Sequence, residues 1–573
     1  MTSVILIWLY MFLTTFTIGY GVLRVFTRHI PYHAYLICGM VCVTVYAQFF
    51  SLFAGVGLLA NVILCIVCIL IWWFDRVQFG ETVRELMQEN LQYRSLKFWG
   101  MIALFLLFAY GTSRGMIHYD TGLYHAQSIR WIEEYGVVKG LGNLHCRLAY
   151  NSSSFALSAL YSMAFLNGGS YHCCAGFLAF ILAAVCLETV DHMRAGKLHV
   201  SDFARAMAVY YLVNIFDEMI SPASDYFMVL IAFYIIICWL DLLEHKEKEI
   251  LPYALLCVLG VFLMTVKLSA ALILLLTVWP AYYLIREKRW REIGTYLCLG
   301  IVTALPYFIR NVVISGWLVY PFTQIDFFPV VWKIPKGIAD YDAREIQVWG
   351  RGYTDVSQYG ISMREWLLGW FQSLAGSDKV FVLLAGVSVC VLLIYAVGMV
   401  FQWWRRRWDL LLLQVTVAAS FVFWLCTSPL IRYGCVYVYL MPAVVFGGIY
   451  DTVFCPARQT SGGDSEEKKA LTDTRRIWGR AAVQRMAVIL FALFFLYKGL
   501  ALGQEIVKGY VNDYWLVQKD YENYETYSYE IDGVTFYLPV EGDQVGYESF
   551  PSAPTVPKIE LLGEGIAEGF RSL

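Results

Sequence analysis

Charge is scarce in this chain: Asp, Glu, Lys and Arg make up 15% of its 573 residues, against 59% hydrophobic side chains. So little charge excludes a soluble protein of this size and leaves a polytopic membrane protein. The alternating ten-residue segments of an outer-membrane barrel are also missing, so the spans are expected to be helices. The apolar residues do come in runs of roughly 20, enough to cross about 30 Å of hydrocarbon as helix. There is no paired CxxC metal pattern. Cys65 and Cys68 have that spacing only, inside VILCIVCILIWW, and thiols in such runs (Cys38, Cys42, Cys257, Cys298, Cys390) act as small hydrophobes. Ser3 to Phe26 lacks a basic leader and a small-residue cleavage site, which predicts a retained helix. The net charge of −2 says nothing about a partner, because charge here is sorted by side, and no nucleic-acid partner is expected.

What is present predicts an all-α membrane fold of about 13–14 transmembrane helices. The apolar runs cover 3–26, 31–52, 54–75, 98–115, 170–191, 203–219, 225–244, 251–266, 269–285, 292–313, 379–402, 409–428, 432–453 and 484–504. Alternate connections carry the cations: Arg24 and Arg28; Arg76, Arg84, Arg94 and Lys97; Arg194, Lys197 and Arg205; Lys246 and Lys248; Arg286, Lys288, Arg289 and Arg291; Arg405, Arg406 and Arg407; and a cluster from Arg458 to Arg485. The positive-inside rule places these in the cytoplasm and both termini outside. Five parts follow: helices and connector over 1–97, a core over 98–313 with its first external loop at 115–169, an external amphipathic loop over 314–378, helices over 379–504, and an external cap over 505–573. In that cap IDGVTFYLPVEGDQ reads as β structure between turn residues. CPARQTSGGDSEEKKALTDTRR has the composition of a mobile linker.

The first external loop holds His118, Asp120, His125, Glu133, Glu134, His145 and Arg147 within 34 residues, beside Trp131 and several tyrosines. Long loops on a helical scaffold are where function is expected. Ionisable groups at membrane helices are costly and mark sites. Asp217, Glu218 and Asp225 lie at one outer turn, NIFDEMISPASDYF. Lys267 sits in FLMTVKLSAAL, read as two half-helices meeting near the outer face, Arg310 closes LPYFIRNVVISGW, and Arg432 opens in SPLIRYG. The topology sends all of these to the side of Asp120. Acids facing cations there suggest a base opposite a phosphate clamp. Each has a plainer reading: Arg310 and Arg432 as snorkelling residues, Asp217 and Glu218 as helix caps, Asp120 as a surface carboxylate. His118 and His125, seven apart, share a face if helical but lack further ligands for a metal.

In order along the chain, YDTGLYHAQSIRWI (Asp120), the SPxxD turn (Ser221, Pro222, Asp225), TVKLSA (Lys267), RNVVISGWLVYP (Arg310, Asn311, Ser315, Gly316, Tyr320, Pro321) and IRYG (Arg432) resemble the GT-C class of integral membrane glycosyltransferases, which includes protein mannosyltransferases and lipid A aminoarabinose transferases. The likeness spans roughly 95–450. GLGNLHCRLAYNSS, with the closing IDGVTFYLPVEGDQ and FPSAP, is similar to a bacterial branch of that class. Two departures stand out: extra spans precede the first loop, and that loop has no paired DD or ExD.

The resemblance implies transfer of a sugar from a polyprenyl-phosphate donor to an acceptor outside the bacterial inner membrane: a cell-envelope glycan, a lipid or a protein. Asp120 is implied as general base, with Lys267, Arg310 and Arg432 on the donor phosphate. Asp225, His118, Tyr124, His125, Glu218 and Asn311 are left for acceptor or sugar hydroxyls, or for a divalent cation, the only cofactor considered. The outcome is expected to be inversion. The rivals are a transporter or flippase for lipid-linked glycans, which should show internal repeats and midplane charges, and a polymerase or ligase.

Overall fold

The computed structural model describes residues 1–26, 30–90, 95–166, 169–401, 407–454 and 466–573. Arg28, Arg94, Arg405, Arg406 and Arg458, counted among the cytoplasmic cations, lie outside the described residues, as does most of the expected linker (455–465); its end, from Glu466, is helical.

The protein is an all-α polytopic membrane protein. Each of the apolar runs coincides with a helix, but the number that can cross a membrane is smaller than the number of runs. Eleven described helices are long and apolar enough, twelve if a bent pair counts as one span. Val200–Asn214, with 15 residues, and Ile250–Val266, with 17, fall short. At 1.5 Å per residue such helices reach only about 22–26 Å. The bent pair is Leu58–Phe74 and Arg76–Glu89, which meet at 93°. At the corner, the Asp75 carboxylate takes the Tyr20 phenol and the Arg24 guanidinium, so the chain turns where its acid finds partners.

The first two helices, Thr2–Leu23 and Tyr32–Phe50, pack backbone to backbone: a Cβ on Gly39 would fall 1.7 Å from the Thr15 carbonyl oxygen. In a bilayer, where burial of apolar surface gives no net gain, such close approach supplies the attraction.

The two ends of the bundle differ in chemistry. At one end Arg24 pairs with Asp75, Lys97 with Asp191, Arg407 with Asp451, and the fully buried Arg205 with Glu188, Asp202 and Asp241. At the other end the N-terminal strand of chain bonds the segment after the last helix, Thr2 N to Trp515 O at 2.9 Å and Ser3 N to Leu516 O at 3.0 Å. That end also carries the first long loop and the cap.

The stretch over 115–169 is not a surface loop throughout. Its helix Ser153–Tyr161 is buried at every residue, so the chain dips back into the protein before the span Cys174–Arg194 begins. FALSAL supplies the apolar faces for this, and Ser152 caps the helix start by accepting from the Ser154 backbone N–H.

Beyond the last helix the cap holds two small antiparallel sheets. Thr526–Ile531 pairs with Val534–Pro539 across Asp532-Gly533, whose φ angles of +50° and +78° are those of a tight hairpin turn. Ile559–Leu561 pairs with Phe570–Ser572.

Candidate functional site

Four segments far apart in sequence meet on the loop-bearing end. Asp120 stands just ahead of a π-helical turn, Thr121–His125, that opens the helix Ala126–Glu134. Asp225 lies in the first turn of Ser224–Glu244, just after the SPxxD break. Lys267 is where Ile250–Val266 stops, with extended backbone (φ −153°, ψ 123°) before the 3-10 segment Leu268–Thr277. Arg432 opens Ile431–Phe454.

Their charged groups form two ion pairs side by side. Arg432 Nη2 is 2.8 Å from Asp120 Oδ2, and the Lys267 ammonium bonds the Asp225 carboxylate. One ring joins the pairs: Tyr433 has the Lys267 Nζ 3.9 Å from its centroid and the Arg432 Cζ at 5.1 Å. The side chains are partly open, from 11% exposed at Asp225 to 34% at Arg432, so the cluster can be reached from outside.

His118 sits against both members of the first pair, its Nδ1 3.9 Å from Asp120 Oδ2 and its Nε2 touching Arg432 Nη1. Burial, the largest influence, holds its pKa below 6.5. A neutral ring can accept from the guanidinium. His125 is packed deeper, with Nδ1 3.2 Å from Thr121 Oγ1 and its ring against Tyr124 and Phe155, and burial drives its pKa well below 6.5. Tyr124 is pushed well above the usual phenol range, again mainly by burial, and keeps its proton. Thr121 Oγ1 is 2.8 Å from Ser221 Oγ, which ties the π turn to the SPxxD break. Glu218 accepts from the Tyr226 phenol, whose ring stands 6.4 Å from His118.

Arg310, expected on the donor phosphate, and Asn311, expected on acceptor or sugar hydroxyls or a divalent cation, do not join this cluster. Arg310, 2% exposed, donates from Nε to Asn151 Oδ1 at 2.9 Å and from Nη1 to Ser51 Oγ. Asn311 accepts from Asn151 Nδ2 at 2.8 Å and donates to Leu318 O at 3.0 Å. The two residues lock the end of Trp290–Ser315 to the loop and to the end of the second span, because Asn151 turns its amide inward from a left-handed backbone (φ +46°). Asp217 is likewise engaged elsewhere, with Arg114 at 2.7 Å.

Asp225 is taken by Lys267, and among the described residues no three His, Cys, Asp or Glu side chains converge on one point.

Some members of the site carry no signal strong enough to find from sequence. Tyr433 lies in IRYG, yet tyrosines are common here. Arg147 sits with its Cζ 4.5 Å over the Trp349 ring and its Nη2 3.5 Å from Glu345, and it interacts electrostatically with Asp120 and Tyr124. Asp342 of the same helix, Lys336–Gly350, accepts from Tyr150 and Tyr320, both at 2.9 Å, so the stretch after Trp290–Ser315 closes one flank of the cluster.

No curated protein and no solved structure matches the chain. A family model described as Domain of unknown function (DUF8201) matches residues 1–439, which take in Asp120, Asp225, Lys267 and Arg432, and the chain belongs to that family.

Proposed function

We propose that this protein is a membrane glycosyltransferase of the GT-C kind, which transfers a sugar from a polyprenyl-phosphate donor to an acceptor on the extracytoplasmic face of a bacterial inner membrane. One observation carries the reading: a carboxylate from an early loop and two cations from later helices share a partly open cluster around Tyr433.

The chemistry follows from the charges. At rest each cation is neutralised by an acid. A donor phosphate arriving between Arg432 and Lys267 offers them more oxygens and charge than one carboxylate does, and charge-assisted bonds of this kind are the strong ones. Drawing Arg432 away frees the Asp120 carboxylate. Asp120 then takes the proton of an acceptor hydroxyl as its oxygen bonds the anomeric carbon. The bond from that carbon to the phosphate oxygen breaks, its electron pair leaves with the phosphate, and the two cations meet the charge gained. A single displacement inverts the anomeric centre. Asp225, released by Lys267, can hold a sugar hydroxyl.

The test is complementation. A strain lacking the protein is expected to lose a sugar from one external glycoconjugate; wild-type protein restores it and Asp120→Asn, expressed to the same level, does not. Restoration by Asp120→Asn would remove the base.

A further inference from the structure

The C-terminal cap does not merely rest on the bundle; it is bonded to the turn that carries Asp120. Val545 and Gly546 donate their backbone N–H groups to the Gly122 carbonyl at 2.9 and 2.8 Å. Gln544 Nε2 donates to the Tyr119 carbonyl at 2.9 Å and to the Tyr524 hydroxyl at 3.0 Å. The Tyr119 phenol donates to Asp543. From below, Gln127 Nε2 reaches the carbonyls of Gly546 and Ser549, both at 2.9 Å. The approach is so close that a Cβ on Gly122 would meet Tyr524 Oη at 2.7 Å and Gln544 Nε2 at 2.8 Å. Five residues of one cap loop thus address two consecutive turns of the site helix.

Two facts give this docking a use beyond support. Tyr119, the immediate neighbour of Asp120, is 54% exposed, although its hydroxyl is held by the cap. Trp349 is 37% exposed with Arg147 on its face, and Arg147 acts electrostatically on Tyr119 and on Asp120. Around Asp120, then, two separate segments each offer an exposed aromatic ring, Tyr119 with the carboxylate of Asp543 and the amide of Gln544 beside it, and Trp349 with the guanidinium of Arg147 on its face. Flat apolar faces edged by donors and acceptors match a pyranose, which has an apolar ring face and a fringe of hydroxyls.

We propose that the cap loop over 541–546 and the helix Lys336–Gly350 form the acceptor subsite, and that the acceptor is a sugar chain, held by Tyr119, Asp543 and Gln544 on one side and by Trp349 and Arg147 on the other. This rests on the donor reading above only for the direction of transfer. The specificity residues are then in the cap, apart from those that hold the donor.

The experiment uses full-length protein in nanodiscs on an array of neutral oligosaccharides (glucans, mannans, galactans and N-acetylglucosamine oligomers), with undecaprenyl phosphate affinity measured on the same preparations. Wild type is expected to retain at least one oligosaccharide. The double variant Asp543→Ala with Gln544→Ala, and separately Trp349→Ala, which leaves the cap intact, should each weaken that retention about tenfold or more. Full retention in either variant, or none in wild type, overturns the subsite. The donor arm is scored independently. If Arg432→Ala binds undecaprenyl phosphate as wild type does, the donor reading fails, while loss of glycan retention in the cap and Trp349 variants would still uphold the acceptor subsite.

Discussion

Asp120 and Arg432 are each other's partners at rest, and this makes their variants differ in kind. If the proposed donor clamp holds, Arg432→Ala removes a phosphate contact and should lower affinity for undecaprenyl phosphate about ten- to hundredfold, the range of a charge-assisted bond. Arg310→Ala should behave otherwise. It strips Asn151 and Ser51 of their donor and opens a cavity, so the thermal midpoint should fall by the equivalent of about 2–4 kcal/mol, with undecaprenyl phosphate affinity unchanged. A loss of affinity there would return Arg310 to the clamp. His118 sets a pH limb. It faces Asp120, Arg432, Asp225 and Glu218, and burial keeps its pKa below 6.5. It is therefore neutral at pH 7 and charges only as the pH falls through that lower value, placing a cation against Arg432 and a competitor on Asp120. The proposed transfer, measured in membranes, should decline on acidification below pH 6.5, not above it, and His118→Asn should flatten that decline. The native state, which favours the neutral ring, should lose stability over the same acid range.

At the scale of elements, the site is assembled from interruptions of regular helix: a π turn after Asp120, an SPxxD break before Asp225, and extended backbone at Lys267. Such breaks free backbone groups and point side chains sideways, and they are tolerated at membrane depth only where protein covers them. That is why this part of the site was legible in sequence. Ser-Pro, and a lysine with no loop around it, stand out from apolar runs. The contrary case is Arg310: RNVVISGW stands out just as clearly, yet the partners that claim its arginine, Asn151 and Ser51, come from two distant segments that nothing in the sequence links to it. Close packing of elements is equally hidden. Gly19 and Gly39 look like ordinary small residues, but a Cβ on Gly19 would lie 1.9 Å from the Tyr35 carbonyl. Gly39→Ala must push the first two helices apart, and a drop in thermal midpoint in detergent is the expected result. An unchanged midpoint would mean the pair does not depend on backbone contact.

At the scale of the molecule, low charge and the apolar runs were enough for the class of fold, because few structures other than a helical bundle in lipid can carry so many such runs. The count was less legible: apolar runs at 203–219 and 251–266 are helices too short to meet the length of a span, and hydropathy alone does not register length in ångströms. Nor could it show that Ser153–Tyr161 turns back into the protein or that the cap closes on Asp120, since both depend on contacts across more than a hundred residues. With the N-terminal residues bonded to Trp515 and Leu516, the N-terminus and the cap must lie on one side of the membrane. Tags at Met1 and Leu573 should respond alike to protease added to intact cells, and opposite responses would refute the arrangement. The most direct test of the whole reading is the affinity of the nanodisc-held protein for undecaprenyl phosphate, compared among wild type, Arg432→Ala and Lys267→Ala. A phosphate site shared by the two cations requires that wild type bind and that each variant lose about tenfold or more. Binding that ignores both substitutions would show that the two ion pairs around Tyr433 hold the protein together and hold no donor.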